Sequence, residues 1–170
     1  MAEIEVRRLG PDDWRTYRPV RLAALADAPY AYGSTLAREQ VFGEAEWRQR
    51  LAPPSLIVVA FLDGVPLATS GAFFPDPDGP PMLVALWVSP ELRGRGAGDL
   101  LIAEVLNWAA EQGHDQVVLR VADGNVAARK LFLRNGFVPT GQREPLESDP
   151  STGTELLSCP VPVKPQSPAH

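Results

Sequence analysis

A glycine-rich turn between two predicted regular elements is the segment of this sequence best suited to chemistry. Three glycines fall within five positions, and two arginines alternate with them. Glycine lets the backbone approach a ligand without a Cβ in the way. The helix predicted to follow supplies unpaired N–H groups and the positive end of its dipole, and arginine adds full positive charge. The turn therefore predicts a phosphate-binding site formed by Arg93, Gly94, Arg95, Gly96, Ala97, Gly98 and Asp99.

Two familiar phosphate-binding motifs do not fit this turn. A P-loop ends in Gly-Lys-Ser/Thr, which is missing here, and Asp99 stands where a dinucleotide-binding turn has its third glycine. A flexible strand-to-helix turn with surface arginines is the alternative explanation, and it stays open on the turn alone.

Composition and charge limit the classes of protein to which this chain can belong. The 170 residues are 45% hydrophobic and 22% charged, as in a soluble globular domain. A net charge of −5 argues against nucleic acid as a partner, and no apolar stretch approaches the length of a membrane span. Cys159 is the single cysteine, and the N-terminus lacks the pattern of a secretion signal. We therefore expect a cytoplasmic protein that binds neither nucleic acid nor membranes.

The hydrophobic pattern predicts one mixed α/β domain over residues 1–160, followed by a loose proline-rich tail over 161–170. Pro19 predicts a kink or a restart in the first helix. The apolar run 82–88 predicts a central strand buried on both faces. Strands are predicted over 4–9, 56–62, 65–74, 82–88, 116–121, from 137 and over 154–159, with an Asp63-Gly64 hairpin; helices are predicted from 10 to 27, around 34–40, and over 44–51, 99–112 and 125–135.

A second block of sequence carries a resemblance to a known family. Residues 125–137 read Asn-Val-Ala-Ala-Arg-Lys-Leu-Phe-Leu-Arg-Asn-Gly-Phe, close to a family block of Asn, Ala and then Leu-Tyr-x-x-x-Gly-Phe. In the turn, Arg93, Gly96 and Gly98 match the pattern Arg/Gln-x-x-Gly-x-Gly/Ala. With both blocks in order, the chain resembles the GCN5-related N-acetyltransferase (GNAT) family over about residues 3–160.

The resemblance implies a fold. The hairpin 58–69 is similar to the second and third strands of the family, and residues 21–25 are similar to its first helix. The expected architecture is a central, mostly antiparallel mixed sheet of six or seven strands. That sheet is splayed at the acetyl-CoA site and flanked by about four helices.

The resemblance also implies how acetyl-CoA would bind. The strand before the turn would offer backbone groups to pantetheine, and the N–H groups of residues 93–99 would hold the pyrophosphate. Asn125 would bond pantetheine from the other side, and Arg129 or Lys130 would meet a phosphate of the nucleotide end. The strand residues concerned are Leu86, Trp87 and Val88.

The implied reaction is direct transfer of an acetyl group to a primary amine in a ternary complex, with the backbone N–H of Val88 as the oxyanion donor. The usual proton donor to the CoA thiolate is a tyrosine, and Phe132 stands at that position here. The strand before the turn also contains no carboxylate to act as a base. Either the thiolate leaves unassisted, or Tyr30, Tyr32 or Glu39 serves instead.

The acceptor is predicted to be a small-molecule amine, with specificity set by residues 29–41 and 143–153. A protein terminus or lysine as acceptor, a longer acyl-CoA as donor, and a CoA-binding protein with little transferase activity stay open as alternatives. His114 and His170 have no partner at metal-ligand spacing, so no metal site is predicted. Pairing of family members through their sheets implies a possible homodimer.

Overall fold

The computed structural model describes residues 3–28, 34–146 and 149–162. Within these ranges the chain forms a sheet with helices on both faces. The strands are β1 (Ile4–Leu9), β2 (Leu56–Leu62), β3 (Val65–Phe73), β4 (Met82–Val88), β5 (Gln116–Ala122), β6 (Val138–Leu146) and β7 (Asp149–Pro160). The helices are α1 (Trp14–Asp27), α2 (Leu36–Glu39), α3 (Glu44–Arg50), α4 (Ala97–Glu111) and α5 (Val126–Arg134), with short 3-10 turns at Pro11–Asp13 and Pro90–Leu92.

The seven strands form one sheet in the order β1-β2-β3-β4-β5-β7-β6. Every neighbouring pair is antiparallel except β4 and β5, which run parallel and pair only where Met82 meets Val118. Beyond that pair the two strands diverge toward their carboxyl ends, leaving a β4–β5 gap between residues 86–88 and 119–122. The expected mostly antiparallel sheet of the mixed α/β class is thereby confirmed.

The β2–β3 hairpin turns as its sequence predicts. Asp63 and Gly64 have φ of 51° and 79°, and positive φ at both positions is the geometry of a two-residue type I′ turn. Such a turn twists with its strands, so the hairpin holds β2 and β3 in register.

The middle of β4 contains a bulge. The β3–β4 register shifts by one residue between Thr69 and Gly71, and Ala85 on β4 has φ of 56°. Leu83 packs into the apolar layer on one face and Trp87 into the layer on the other, so both faces of β4 are covered as predicted, although its other residues are half-buried. The bulge switches the face that each following side chain occupies, so Leu83 and Trp87 point to opposite faces although they are four positions apart.

Two apolar layers hold the helices on the sheet. On one face, α4 packs Leu101, Val105 and Trp108 against β2 to β5, together with α5. On the opposite face, α1 and α3 pack around Trp47. Contrary to the expected restart, α1 is one helix through Pro19, which lies on its exposed side and removes a single N–H bond without ending the helix.

No helix within the three described ranges is long and apolar enough to cross a membrane.

Neighbouring leucines on α4 test how much this layer stabilises the fold. Leu101 has no exposed surface, whereas Leu100 is 43% exposed. We expect Leu101→Ala to lower the free energy of unfolding by about 2–5 kcal/mol through lost transfer energy and a cavity, and Leu100→Ala to change it by less than about 1 kcal/mol. Urea unfolding of both variants checks this, and equal losses would contradict the packing described.

Candidate active site

The last residues of β4 present backbone groups to the β4–β5 gap. The N–H of Ser89 donates to the carbonyl of Leu67 on β3 at 2.8 Å. In an antiparallel pair, the backbone N–H and C=O groups of successive residues point alternately toward and away from the partner strand. Those of Trp87 therefore point toward β3, and those of Val88 point toward the gap. The Val88 carbonyl accepts a hydrogen bond from Arg93 Nε at 3.0 Å. The Val88 N–H therefore remains as a donor facing the gap, as its predicted role requires, while the Trp87 backbone does not face it.

The glycine-rich turn connects β4 to α4 with two left-handed glycines. Gly94 and Gly96 have φ of 76° and 83°, a conformation in which any residue with a Cβ is strained. Gly96 is the N-cap of α4 and has no side chain to cap the helix, so the N–H groups of Ala97 and Gly98 receive no side-chain cap. This end of α4 is thus a cluster of free donors with a positive dipole.

Gly98 has a different requirement, which is close packing. A Cβ at this position would lie 3.0 Å from Cδ2 of Leu131 on α5. The absence of a side chain at Gly98 therefore lets the start of α4 approach α5, which brings the turn and the second sequence block together.

The structure separates the predicted phosphate-binding cations into two groups. Arg93 pairs with Asp27 at 2.6 Å and Arg129 pairs with Glu155 at 2.9 Å. Arg95 and Lys130 are exposed and form no ion pair within the described part of the chain. Arg95 and Lys130 are therefore the two cations that a phosphate can bind without breaking an existing pair.

Asp27 borders the glycine-rich turn, and the sequence did not indicate it. At the end of α1 it accepts hydrogen bonds from Trp87 Nε1 at 2.9 Å and from Arg93 Nη2 at 2.6 Å. The Trp87 hydrogen bond and the Arg93 guanidinium hold the pKa of Asp27 below its usual range. The carboxylate thus fixes the beginning of the turn against α1, and no local pattern relates these three positions.

Asn125 and Asp99 both serve local structure with their side chains. Asn125 is the N-cap of α5, and its Oδ1 accepts from the N–H of Ala128 at 3.4 Å. It also lines a recess of about 110 Å³ at the end of β5. The carboxylate of Asp99 binds Asn135 and Arg134, and these hydrogen bonds lower its pKa. The backbone N–H of Asp99 also hydrogen-bonds to this carboxylate, so Asp99 is engaged in local structure.

Phe132 lies in the core. It is 6% exposed and meets Phe137 edge to face at a centroid distance of 5.9 Å. Its ring has no hydroxyl to donate a proton. It lines neither the recess beside Asn125 nor the larger pocket between the sheet and helices α1 and α3. We therefore place Phe132 among the residues that pack α5 onto the sheet.

A larger pocket of about 420 Å³ lies on the α1 and α3 face of the sheet, beside the segment of β4 that β5 does not pair. Its volume is in the range of small-molecule sites. We call it the α1–α3 pocket; its described lining is Tyr17, Arg21, Arg50, Ser55, Leu56, Ile57, Thr69, Ser70, Gly71, Ala72, Phe73, Val84 and Ala85. The bulge residue Ala85 places this pocket against the strand that also borders the gap.

Glu39 lies behind this pocket in a buried ion pair with two arginines. Its Oε1 accepts from Arg21 Nε at 2.9 Å and Arg50 Nη1 at 2.8 Å, and its Oε2 accepts from Arg21 Nη2 at 3.0 Å. Burial alone would raise the pKa of Glu39, but the Arg21 hydrogen bonds and the two positive charges outweigh it, and the pKa is lowered. A carboxylate with no exposed surface and both oxygens bonded is placed to join α1, α2 and α3, which argues against the predicted role as a base.

Tyr32 and Tyr30, the other predicted candidates, lie outside the described residues. Tyr17 is a tyrosine that the structure does place in the α1–α3 pocket. Burial raises its pKa, so the phenol stays protonated at neutral pH. The helical period of the sequence places Tyr17 on the same side of α1 as Arg21 and Leu25, but periodicity identifies a face and not a pocket.

No group of three His, Cys, Asp or Glu side chains within residues 3–28, 34–146 and 149–162 is arranged to hold a metal ion.

Comparison with known proteins identifies the family. A sequence profile of the Acetyltransferase (GNAT) family matches residues 18–137, so the chain belongs to this family. N-acetyltransferase 8F1 from Rattus norvegicus is 41% identical over 61 residues, which cover 36% of this chain and 28% of that protein. N-acetyltransferase 8B from Homo sapiens is 38% identical over 60 residues, covering 35% of this chain and 26% of that protein. The chain therefore matches only about a quarter of the length of these relatives.

Solved structures share the whole fold. A GNAT acetyltransferase from Streptococcus pneumoniae superposes with a TM-score of 0.75 at 20% identity, covering 94% of this chain and 99% of that one. The yncA acetyltransferase from Salmonella typhimurium, whose structure contains acetyl-CoA, gives 0.71 at 16% identity, covering 99% and 98%. At these identities the likeness concerns the fold alone.

The Glu39 ion pair allows a test that separates a structural role from a catalytic one. Replacing a buried partner leaves uncompensated guanidinium charge, so we expect Glu39→Gln to destabilise the protein by about 3–5 kcal/mol. The contribution of Glu39 is present above its ordinary pKa of 4.5 and is lost as pH falls through its lowered folded pKa. The difference from the native protein should therefore shrink in acid.

The matched control is Glu44→Gln, which removes an exposed charge paired with Arg48 and should cost less than about 1 kcal/mol. Urea unfolding from pH 3 to 8 measures both variants. Full stability of Glu39→Gln together with a large loss of kcat well below its melting temperature would mean that Glu39 is the base after all.

Proposed function

We propose that this protein transfers an acetyl group from acetyl-CoA to the primary amine of a small molecule by direct attack in a ternary complex. The observation that carries the proposal is the unpaired end of β4, which has the uncapped start of α4 after it and the α1–α3 pocket beside it. Membership of the acetyltransferase family supports the same reaction.

The described residues fit acetyl-CoA as the donor substrate. The gap beside residues 86–88 offers the Val88 N–H to an extended chain such as pantetheine, in the manner of a neighbouring strand. The N–H groups that begin α4 suit a pyrophosphate, because they are unpaired donors at a positive helix end. Arg95 and Lys130 add exposed positive charge. Asn125 stands on the opposite side, at the end of β5.

Val88 would assist the chemical step. The neutral amine nitrogen attacks the thioester carbonyl carbon, the N–C bond forms, and the C–S bond breaks with its electron pair going to sulfur. Negative charge would develop on the carbonyl oxygen, and the Val88 N–H would stabilise it by donating a hydrogen bond. A single donor of this kind typically contributes about 10²–10³ in rate.

Proton transfer would rely on solvent. The described lining of the α1–α3 pocket contains no carboxylate or histidine, so the proton lost by the attacking amine would go to water. The departing thiolate, with a pKa of about 8.5 for an ordinary thiol, can leave without a donor at modest cost. We expect the rate to rise with pH until the acceptor amine is fully neutral.

A CoA-binding protein with little transferase activity is the second candidate. Phe132 favours it, because this buried ring cannot donate a proton to sulfur. The free, buried thiol of Cys159 fits a reducing compartment such as the cytoplasm under either function.

Acetyl-CoA should stabilise the folded protein. At a ligand concentration about a hundred times Kd, linkage gives about 2.7 kcal/mol, which for a domain of this size raises Tm by about 5–11 °C. Thermal unfolding with acetyl-CoA, ATP and NAD measures this. A rise with acetyl-CoA, followed by CoA release with an amine panel, supports the transferase; the same rise with no CoA release supports the second candidate. No rise would overturn both.

Arg95 should contribute to that binding. Losing a hydrogen bond to a charged group typically costs about 1.5–3 kcal/mol, so Arg95→Gln should weaken acetyl-CoA binding about tenfold or more. Arg38→Gln removes the same charge from an exposed position on α2 and should leave the Kd unchanged. Isothermal titration compares the variants, and equal affinities would exclude Arg95 from the phosphate site.

A further inference from the structure

The α1–α3 pocket has an unusual charge pattern for a site that receives an amine. Its described lining includes two arginines and no carboxylate. The chain segment 29–33, which joins α1 toward α2, reads Pro-Tyr-Ala-Tyr-Gly and so contributes no carboxylate whatever its placement. Among the described lining residues, a cationic group on the substrate therefore finds no carboxylate to pair with.

Glu39 does not place a negative charge in the pocket. Its carboxylate accepts hydrogen bonds from the guanidinium groups of both Arg21 and Arg50. Glu39 has no exposed surface, so its negative charge lies behind the arginines. The described lining of the pocket therefore presents guanidinium groups and no carboxylate.

Arg50 is the better placed of the two to meet a ligand. Its side chain is 30% exposed, whereas that of Arg21 is 9% exposed. A guanidinium has five N–H donors, and Nη1 of Arg50 gives one to Glu39 at 2.8 Å. The rings of Phe42 and Trp47 lie 5.1 and 5.8 Å from its Cζ, which holds the group in place. Arg50 is thus an oriented, partly exposed donor.

Neighbouring groups complete a site for an anion. Tyr17 lines the pocket as a neutral phenol that can donate a hydrogen bond. Thr69 and Ser70 donate their hydroxyls to the carbonyls of Val58 and Val84, so these side chains are already committed to β-sheet carbonyls. The polar part of the pocket is therefore the arginine and tyrosine side, and the strand side is mostly small and apolar.

We infer that the acceptor carries an anionic group, a carboxylate or a phosphonate, which Arg50 binds while the amine lies toward Ala85 and the β4–β5 gap. The substrate class would be amino acids and related amino anions, in contrast to polyamines or lysine side chains. This inference rests on the proposed function, because it concerns the acceptor of the same reaction.

The test compares each acid with its uncharged counterpart. CoA release is followed with α-amino acids, their carboxamides, 2-aminoethylphosphonate and putrescine, and kcat/KM is corrected for the neutral fraction of each amine. Hydrogen bonds to charged groups predict a preference for the acid of about tenfold or more. The phosphonate and the carboxylic acids together show which anion the pocket prefers.

Variants of Arg50 locate the source of the preference. Arg50→Gln should reduce the ratio of acid to amide to about one, and Arg50→Lys should keep part of it. Arg15→Gln, which removes an exposed arginine of α1 outside the described pocket lining, is the matched control and should keep all of it. The ratio is measured within one preparation, so a loss of folded protein in the Arg50 variants does not alter it.

Each outcome of these assays either supports or overturns the inference of an anionic acceptor. Acid preference that is lost in Arg50→Gln supports the inference. Equal or better use of amides or putrescine overturns the inference but not the proposed transferase activity. An acid preference that is unchanged in Arg50→Gln has the same meaning. Acetyl-CoA binding without turnover of either acid or amide also counts against it. Failure to bind acetyl-CoA at all would instead remove the proposed function on which the inference rests.

Discussion

The divergence of β4 from β5 is the constraint on which the site depends. The two parallel strands pair only at Met82 and Val118, while β5 keeps a complete antiparallel ladder with β7 on its other side. The free edge of β4 leaves the Val88 N–H directed into the gap, and the turn after β4 delivers the uncapped start of α4 next to it. The bulge at Ala85 then brings the α1–α3 pocket against the same strand.

A second constraint comes from carboxylates whose ion pairs and hydrogen bonds link separate elements of the fold. Glu39 holds Arg21 and Arg50, and Asp27 holds Trp87 and Arg93. Each of these carboxylates connects α1 or its neighbouring helices to an element that borders the site. The described lining of the pocket contains two arginines and no carboxylate, and the proposals of solvent-mediated proton loss and of an anionic acceptor rest on this lining.

Sequence analysis predicted most of the fold because its signals are local. The Asp63-Gly64 turn, the glycine-rich turn after β4 and the apolar face of α4 each follow from a few neighbouring residues. The bulge in β4 and the half-buried state of most of its residues could not be predicted, since a bulge and a diverging neighbour depend on strands elsewhere in the chain. The cations near the turn could not be divided into paired and free ones for the same reason: Asp27 and Arg93 are 66 positions apart.

The sequence by itself determined the class of fold, the glycine-rich turn, the Asn125 block and the family resemblance that follows from them. Each of these depends on backbone conformations and periodicities that short segments specify. Only the tertiary structure decided that Val88 faces the gap, that Arg95 and Lys130 are unpaired in the described chain, and that Arg50 lines the pocket while Glu39 lies behind it. Burial and ion pairing are properties of side chains brought together from distant elements, and a linear pattern does not contain them.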